Sequence, residues 1–179
     1  SPSSINMDLR MYLLKIRGYR QKQTAAMLLG KQKHEKELSR YQTLTQMGYE
    51  HYLKRLYSGE EIILQESCVC SGYQGYHGFI DKLTIQYSKE GTMNIKIEDI
   101  KPVYQSKYLT QICIYGLILS DLNCLVATDY ITPRSKKLKR ITHPLYPKQR
   151  FSLNINLELE FYAVPGIFKF EFMKNGVLT

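Results

Sequence analysis

Apolar and polar residues alternate strictly along the last third of the chain. The apolar positions are Phe151, Leu153, Ile155, Leu157, Leu159 and Phe161, and the polar positions between them are Ser152, Asn154, Asn156, Glu158 and Glu160. Because side chains on a strand point alternately to its two faces, this spacing predicts a strand with one apolar face. Phe168, Phe170 and Phe172 repeat the spacing after the turn residues 164–166. We therefore expect a C-terminal hairpin over 151–174, which either extends a central sheet or forms a surface for self-association.

The patterns in the rest of the chain predict helices first and strands afterwards. The predicted helices are 6–17, 22–38, 39–57 and 106–119, and the predicted strands are 61–70, 77–87, 93–101 and 124–131. Ser58-Gly59 ends a helix, because glycine readily takes the left-handed conformation. Pro102 ends the third predicted strand, because it cannot donate a ladder hydrogen bond. This mixture predicts an α/β (α+β) fold in a single domain over 1–179.

Composition is that of a folded, basic protein. The chain is 44% hydrophobic, which suffices for a compact core. Its 25 Lys and Arg against 16 Asp and Glu give a net charge of +9, and a basic domain suits a polyanionic partner. No apolar run is long enough to span a bilayer, and the start has no signal-peptide pattern. We expect no membrane partner and a cytoplasmic location, with the nucleus left open.

One predicted strand ends on an acid and a base. Ile95, Ile97, Asp99 and Lys101 share one face of the stretch 95–101. Burying charged groups at the end of an apolar strand face is costly unless they bind a metal ion or a substrate. The competing interpretation is a surface strand with a local ion pair, because D-x-K is common by chance.

A second acid precedes this pair at a spacing typical of a hairpin. Asp81 lies 99 − 81 = 18 residues before Asp99, and the loop Glu90-Gly91-Thr92 lies between them. Paired strands would bring the two carboxylates together. Because close carboxylates repel and a divalent cation relieves the repulsion, the spacing favours a metal site.

Four motifs in one order resemble the PD-(D/E)XK nuclease superfamily, in its RecB-like branch, and are most similar to the CRISPR-associated exonucleases. The motifs are G-x-x-x-H at 30–34, G-x-x-D at 78–81, D-x-K at 99–101 and Q-x-x-x-Y at 111–115. The resemblance covers about residues 26 to 120. It implies a restriction-endonuclease-like mixed sheet flanked by helices, with N-terminal helices (6–57), a catalytic core (61–131) and the C-terminal hairpin (151–174).

The resemblance also implies a role for each motif residue. Asp81, Asp99, the carbonyl of Ile100 and His34 would bind Mg²⁺ or Mn²⁺, and Lys101 would orient the attacking water or stabilise negative charge. Gln111 and Tyr115, four apart on one helical face, would hold Lys101 and the substrate phosphate in place.

The chain departs from these relatives in two respects. Ile80 precedes the first acid, where the superfamily name implies proline. The four cysteines are Cys68, Cys70, Cys113 and Cys124, and none precedes His34 or follows Cys124. The relatives' iron–sulfur cluster needs cysteines at both places, so we expect no iron–sulfur cluster. We expect four free thiols. Cys113 lies on the Q-x-x-x-Y helix and is expected to pack in the protein core.

Other residues compete for these roles. His77 is an alternative imidazole ligand to His34, which otherwise suits an exposed helix surface. Glu66 is a candidate supporting acid, and Glu98 is expected on the face opposite Asp99. His51 and His143 are interpreted as structural.

A basic segment follows Pro133. It contains Arg134, Lys136, Lys137, Lys139 and Arg140. Five cations in seven residues either grip a nucleic-acid backbone or form a solvated loop.

Three functions follow from these patterns. The first is a metal-dependent deoxyribonuclease, a hydrolase that acts on single-stranded DNA or DNA ends. The second is a binding module that keeps the nuclease fold but does not cleave. The third is a structural protein that forms homo-oligomers through its C-terminal hairpin.

Overall fold

A computed structural model describes residues 13–14, 17–19, 23–72, 75–131, 138–161 and 167–177 of this chain. Its helices are α1 (Ala25–Leu38), α2 (Leu44–Met47), α3 (Tyr49–Ser58) and α4 (Ser106–Ser120). Its strands are β1 (Ile62–Cys70), β2 (His77–Tyr87), β3 (Thr92–Lys101), β4 (Leu125–Ile131), β5 (Leu138–Pro144), β6 (Arg150–Phe161) and β7 (Ile167–Val177). The α+β class predicted from the sequence is confirmed.

The strands form one seven-stranded mixed sheet in the order β5-β4-β1-β2-β3-β6-β7. β1, β2 and β3 form an antiparallel meander, and β6 joins the sheet by pairing parallel to β3. β7 then pairs antiparallel to β6. The C-terminal hairpin therefore extends the central sheet, which is one of the two arrangements that the alternating pattern left open.

One predicted helix is broken in the structure. The stretch 39–57 contains two helices, α2 and α3, separated by Gly48 at φ +81. Thr43 starts α2 with a reciprocal cap to Gln46, which fixes the first break near residue 43. The apolar residues keep helical spacing across the break, so the sequence pattern predicted one continuous helix. The end at Ser58 is as predicted, because Gly59 takes a left-handed conformation there.

The core contains buried residues of α2, α3 and α4 packed with those on the apolar face of the sheet. Ile95 and Ile97 on β3 are buried beside Ile155 and Leu157 on β6. Gly116 of α4 packs so closely that a Cβ there would lie 3.1 Å from Leu157 Cδ1. This close approach holds α4 against β6, the parallel neighbour of the strand that carries Asp99.

The opposite face of β3 and β6 is polar, and its lysines and glutamates form ion pairs. Lys82 Nζ lies 2.8 Å from Glu98 Oε2, and Lys96 Nζ lies 3.2 Å from Glu98 Oε1. Lys96 Nζ also lies 2.9 Å from Glu158 Oε2. Glu98 is thus on the face opposite Asp99, as the alternation predicted.

Cys113 is exposed, and its predicted place in the core is wrong. The buried stripe of α4 consists of Ile112, Tyr115, Gly116, Ile118 and Leu119. Cys113 lies one turn from Leu117, which is also exposed, so both belong to the outer face of the helix. The four cysteines are free, as predicted.

Some predictions fall partly outside the described residues. The helix predicted over 6–17 does so except for Leu13, Leu14 and Arg17. Arg134, Lys136 and Lys137 of the basic segment also lie outside them. Lys139 and Arg140 belong to β5, so this part of the segment is a strand and not a loop. Among the described helices, none has the length and apolarity that a bilayer crossing requires.

Candidate acidic site

Asp81 and Asp99 are brought together by the pairing of β2 and β3. The paired register ends at Lys82 and Glu98, and Asp81 and Asp99 are the next residues along the two strands. The Ile100 amide donates a hydrogen bond to Asp81 Oδ2 at 2.9 Å. The hairpin predicted from the 18-residue spacing therefore produces the expected approach of the two acids.

Lys101 lies between the two carboxylates. Its Nζ is 2.8 Å from Asp99 Oδ1 and 4.0 Å from Asp81 Oδ2. Burial alone would lower the pKa of Lys101, but the charges of Asp99 and Asp81 raise it above its usual value. The Nζ also lies 5.4 Å from the centroid of the Tyr108 ring on α4. Lys101 is therefore a fixed cation at this site.

His34 reaches the same cluster from α1. Its Nε2 lies 3.1 Å from Asp81 Oδ2, and this hydrogen bond raises the pKa of His34 despite partial burial. His77, the alternative imidazole, is four residues before Asp81 on the same strand, which corresponds to about 13 Å of strand length. Of the two histidines, the structure places His34 beside the acids.

The two acids titrate differently. Burial, followed by the negative charge of Asp81, raises the pKa of Asp99 to about 7. Burial would also raise the pKa of Asp81, but the hydrogen bond from His34 and the charge of Lys101 lower it below its usual value. The pair thus resembles other close carboxylate pairs, in which one member ionises easily and the other resists.

Asp99 carries an unsatisfied oxygen. The residue is fully buried, and its Oδ2 has no hydrogen-bond partner in the structure. A buried oxygen of this kind is costly unless a donor or a cation meets it. In the described part of the chain, no three His, Cys, Asp or Glu side chains are already grouped to hold a metal ion. The oxygen donors of Asp81 and Asp99 nevertheless suit a hard divalent cation.

Gln111 and Tyr115 have a different contact from the one expected. The Tyr115 hydroxyl donates to the Phe79 carbonyl at 2.6 Å, and Gln111 Nε2 donates to the Tyr115 hydroxyl at 3.1 Å. These described bonds run to β2 and not to Lys101. Burial raises the pKa of Tyr115, so the hydroxyl stays a neutral donor. The Q-x-x-x-Y helix therefore fixes the backbone two residues before Asp81.

Two residues near the acids drew little or no notice in the sequence. Tyr108 contacts Lys101 and lies three residues before Gln111, so helical spacing from that motif could have indicated it. Glu66 falls opposite Asp81, between the pairs Gln65–Lys82 and Ser67–Ile80, and has φ +46. A positive φ at a glutamate is uncommon, and the sequence carries no signal for it.

The described end of the basic segment lies near the same strand. Arg140 on β5 contacts the ring of Phe79, with 5.7 Å between the guanidinium carbon and the ring centroid. Its Nε donates to Asp129 Oδ1 at 3.2 Å. Lys139 is exposed on the same strand. His51 is exposed on α3, and His143 stacks on Tyr49 at 4.0 Å between centroids, in keeping with a structural role.

Comparisons with protein-family models, with curated proteins and with solved structures find no match.

Proposed function

We propose that this protein is a divalent-metal-dependent nuclease that hydrolyses DNA phosphodiester bonds on single strands or at ends. The observation that carries the proposal is the buried Asp99, with an unpartnered Oδ2 and a raised pKa, beside Asp81 and Lys101. Perturbed acids of this kind are concentrated at functional sites. The motif resemblance supports the same function, and a restriction-endonuclease-like arrangement of the sheet is part of this proposal.

Each residue of the site has a proposed part. Asp81 and Asp99 would hold Mg²⁺ or Mn²⁺, with His34 and the Ile100 carbonyl completing the set. The bound ion would supply charge neutralisation and a water of lowered pKa. Lys101, already fixed as a cation, stabilises the negative charge that develops on the phosphate. The Tyr115 hydroxyl keeps the backbone before Asp81 in position.

Cleavage assays with matched variants test the proposal. Labelled single-stranded and duplex DNA are incubated with Mg²⁺, Mn²⁺ or EDTA and with wild-type protein, Asp99→Asn or Lys101→Met. We expect metal-dependent cleavage by the wild type and a loss of about 100-fold or more in both variants. Glu90→Gln, an exposed acid in the turn between β2 and β3, is the control and should cleave normally. Cleavage that persists in EDTA, or in Asp99→Asn, would contradict the proposal.

One observation favours the second candidate, a nucleic-acid-binding module that keeps the site without cleaving. Lys101 already pairs with one oxygen of Asp99, and His34 already bonds Asp81, so part of the cluster's negative charge is compensated without an ion. Under this alternative, DNA binds with the same affinity in Mg²⁺ and in EDTA. No product forms, and Mg²⁺ does not raise the thermal unfolding midpoint.

A further inference from the structure

A half-exposed aromatic ring lies next to the acidic site. Phe79 is 51% exposed and precedes Asp81 by two residues on β2, so on an extended strand both side chains point to the same face about 7 Å apart. The carbonyl of Phe79 is held by the Tyr115 hydroxyl at 2.6 Å. The backbone of this residue is thus fixed while its ring stays open to solvent.

A cation reaches this ring from three strands away. The sheet order places β4 and β1 between β5, which carries Arg140, and β2, which carries Phe79. Asp129 is the direct partner of Arg140 in the β4–β5 register, and Cys68 is the direct partner of Phe79 in the β1–β2 register. The Arg140 side chain crosses this surface and brings its guanidinium carbon within 5.7 Å of the ring centroid. The ion pair to Asp129 uses Nε and orients the planar group.

An exposed ring beside a guanidinium suits one class of ligand. Unpaired nucleic-acid bases stack on aromatic rings, and the adjoining phosphates pair with arginine. Bases inside a duplex are already stacked on their neighbours, so an exposed ring offers them little. The net charge of +9 adds a general attraction for a polyanion.

We propose that Phe79 and Arg140 form a binding subsite for one unpaired base and its phosphate, next to the acidic site. This inference rests on the proposed function, because it supplies the reason that the site acts on single strands. Phe79 stacks on the base, and Arg140 contacts the phosphate. The ligand is a single-stranded nucleic acid.

Binding to oligonucleotides that lack bases tests the stacking directly. Fluorescence anisotropy in EDTA, where a metal-dependent nuclease does not cleave, compares a labelled oligothymidylate of about 15 nucleotides with the same chain of abasic sugars. Both probes carry the same phosphates, so the difference reports the bases alone. We expect the wild type to bind the oligothymidylate about 5- to 100-fold more tightly than the abasic chain.

Variants then assign the difference to Phe79. Phe79→Ala and the apolar, non-aromatic Phe79→Leu should reduce the preference to about twofold or less, while Tyr57→Ala, which removes an exposed ring on α3, should keep it. Arg140→Gln should weaken binding to both probes alike. Phe79→Leu keeps a large apolar side chain at this position and removes only the aromatic ring. Thermal unfolding midpoints of all variants show whether the proteins are folded.

Two further probes test which nucleic acids the subsite binds. A matched oligouridylate shows whether the subsite takes RNA as well as DNA, and a blunt duplex of the same length should bind more weakly. Equal binding of abasic and base-containing chains by the wild type, or an unchanged preference in both Phe79 variants, would overturn the subsite. Neither result depends on cleavage, so a failure of the nuclease proposal leaves this test readable.

Discussion

Burial makes the ionised form of Asp99 costly. Asp99 is fully buried and lies close to Asp81. Its ionised form is therefore not hydrated and is repelled by the negative charge of Asp81. Lys101 compensates only one of its oxygens, since the described contact is to Oδ1. Ionised Asp99 therefore lowers the stability of the folded protein, and under the proposed function a cation at Oδ2 would offset this cost.

The free energy of unfolding, measured without metal at different pH values, should show the cost of ionising buried Asp99. Because the pKa of Asp99 is raised to about 7 in the folded state, its stabilising contribution is full below about pH 4 and is lost as the pH rises through about 7. Asp99→Asn cannot ionise. We expect the variant to be more stable than the wild type by about 2 to 4 kcal/mol at about pH 8, with the difference shrinking towards pH 4. Urea unfolding in EDTA measures it.

A metal ion should reverse the comparison. Added Mg²⁺ or Mn²⁺ stabilises only the protein that binds it, so the wild type gains stability and Asp99→Asn does not. Glu90→Gln should follow the wild type at every pH. An Asp99→Asn variant that is less stable than the wild type at about pH 8 without metal would contradict this account of Asp99.

At the scale of elements, the parallel pairing of β3 and β6 places like charges side by side. Glu98 and Glu158 are partners in that register and both are buried, with Lys96 bound to each. Lys96 therefore joins the C-terminal hairpin to the strand that carries Asp99 and Lys101. A buried charge left without its partner costs more than the pair contributes.

Removal of this cation should loosen the contact between β3 and β6. We expect Lys96→Met to lower the free energy of unfolding by about 2 to 3 kcal/mol, because the variant loses the cation shared by Glu98 and Glu158 and Glu98 keeps only its pair with Lys82. The double variant Lys96→Met/Glu158→Gln removes one of the acids and should recover more than half of the loss. Urea unfolding of both variants measures the effect, and an equal loss in the double variant would show that the charges are not its cause.

The break between α2 and α3 depends on one backbone conformation. Gly48 has φ +81 and ψ 139, a combination that side chains disfavour, although an added Cβ would meet no atom within 4 Å. Gly48→Ala should therefore cost about 1 to 3 kcal/mol of stability through backbone strain alone. Thermal unfolding measures the loss, and a Gly48→Ala variant as stable as the wild type would contradict the explanation.

At the scale of the whole molecule, the proposed function predicts that charge contributes more to affinity than base identity does. Under that proposal the excess of nine positive charges would attract any nucleic acid, whereas the proposed Phe79–Arg140 subsite would distinguish unpaired from paired bases. The two effects respond differently to salt, because phosphate contacts release counterions and stacking does not.

Salt titration should separate these contributions. We expect the affinity for single-stranded DNA to fall at least about tenfold between about 50 and about 200 mM salt. Arg140→Gln should reduce the slope of log affinity against log salt by about 0.7, the value for one phosphate contact on a single strand. Phe79→Ala should lower the affinity without changing the slope. Anisotropy in EDTA measures all three, and an affinity independent of salt would argue against a phosphate-binding surface.

Local patterns predicted much of this protein. Alternation along β6, the hairpin spacing between Asp81 and Asp99, and the end of α3 at Ser58 all depend on neighbours in sequence, and all are found in the structure. The broken helix at Gly48 and the exposed Cys113 were missed, because apolar spacing alone shows neither the conformation of a glycine nor which side of an apolar helix meets the sheet.

Other features depended on contacts between distant parts of the chain. The parallel pairing of β3 with β6, the direction of the Tyr115 hydroxyl towards β2 and the reach of Arg140 to Phe79 join residues 36 to 61 positions apart. The sequence by itself determined which residues could form strands, helices and an acid–base motif, because these follow from local periodicity. Only the tertiary structure decided which charges are buried together and which ring stays exposed, because burial is a property of the packed sheet and not of any one segment.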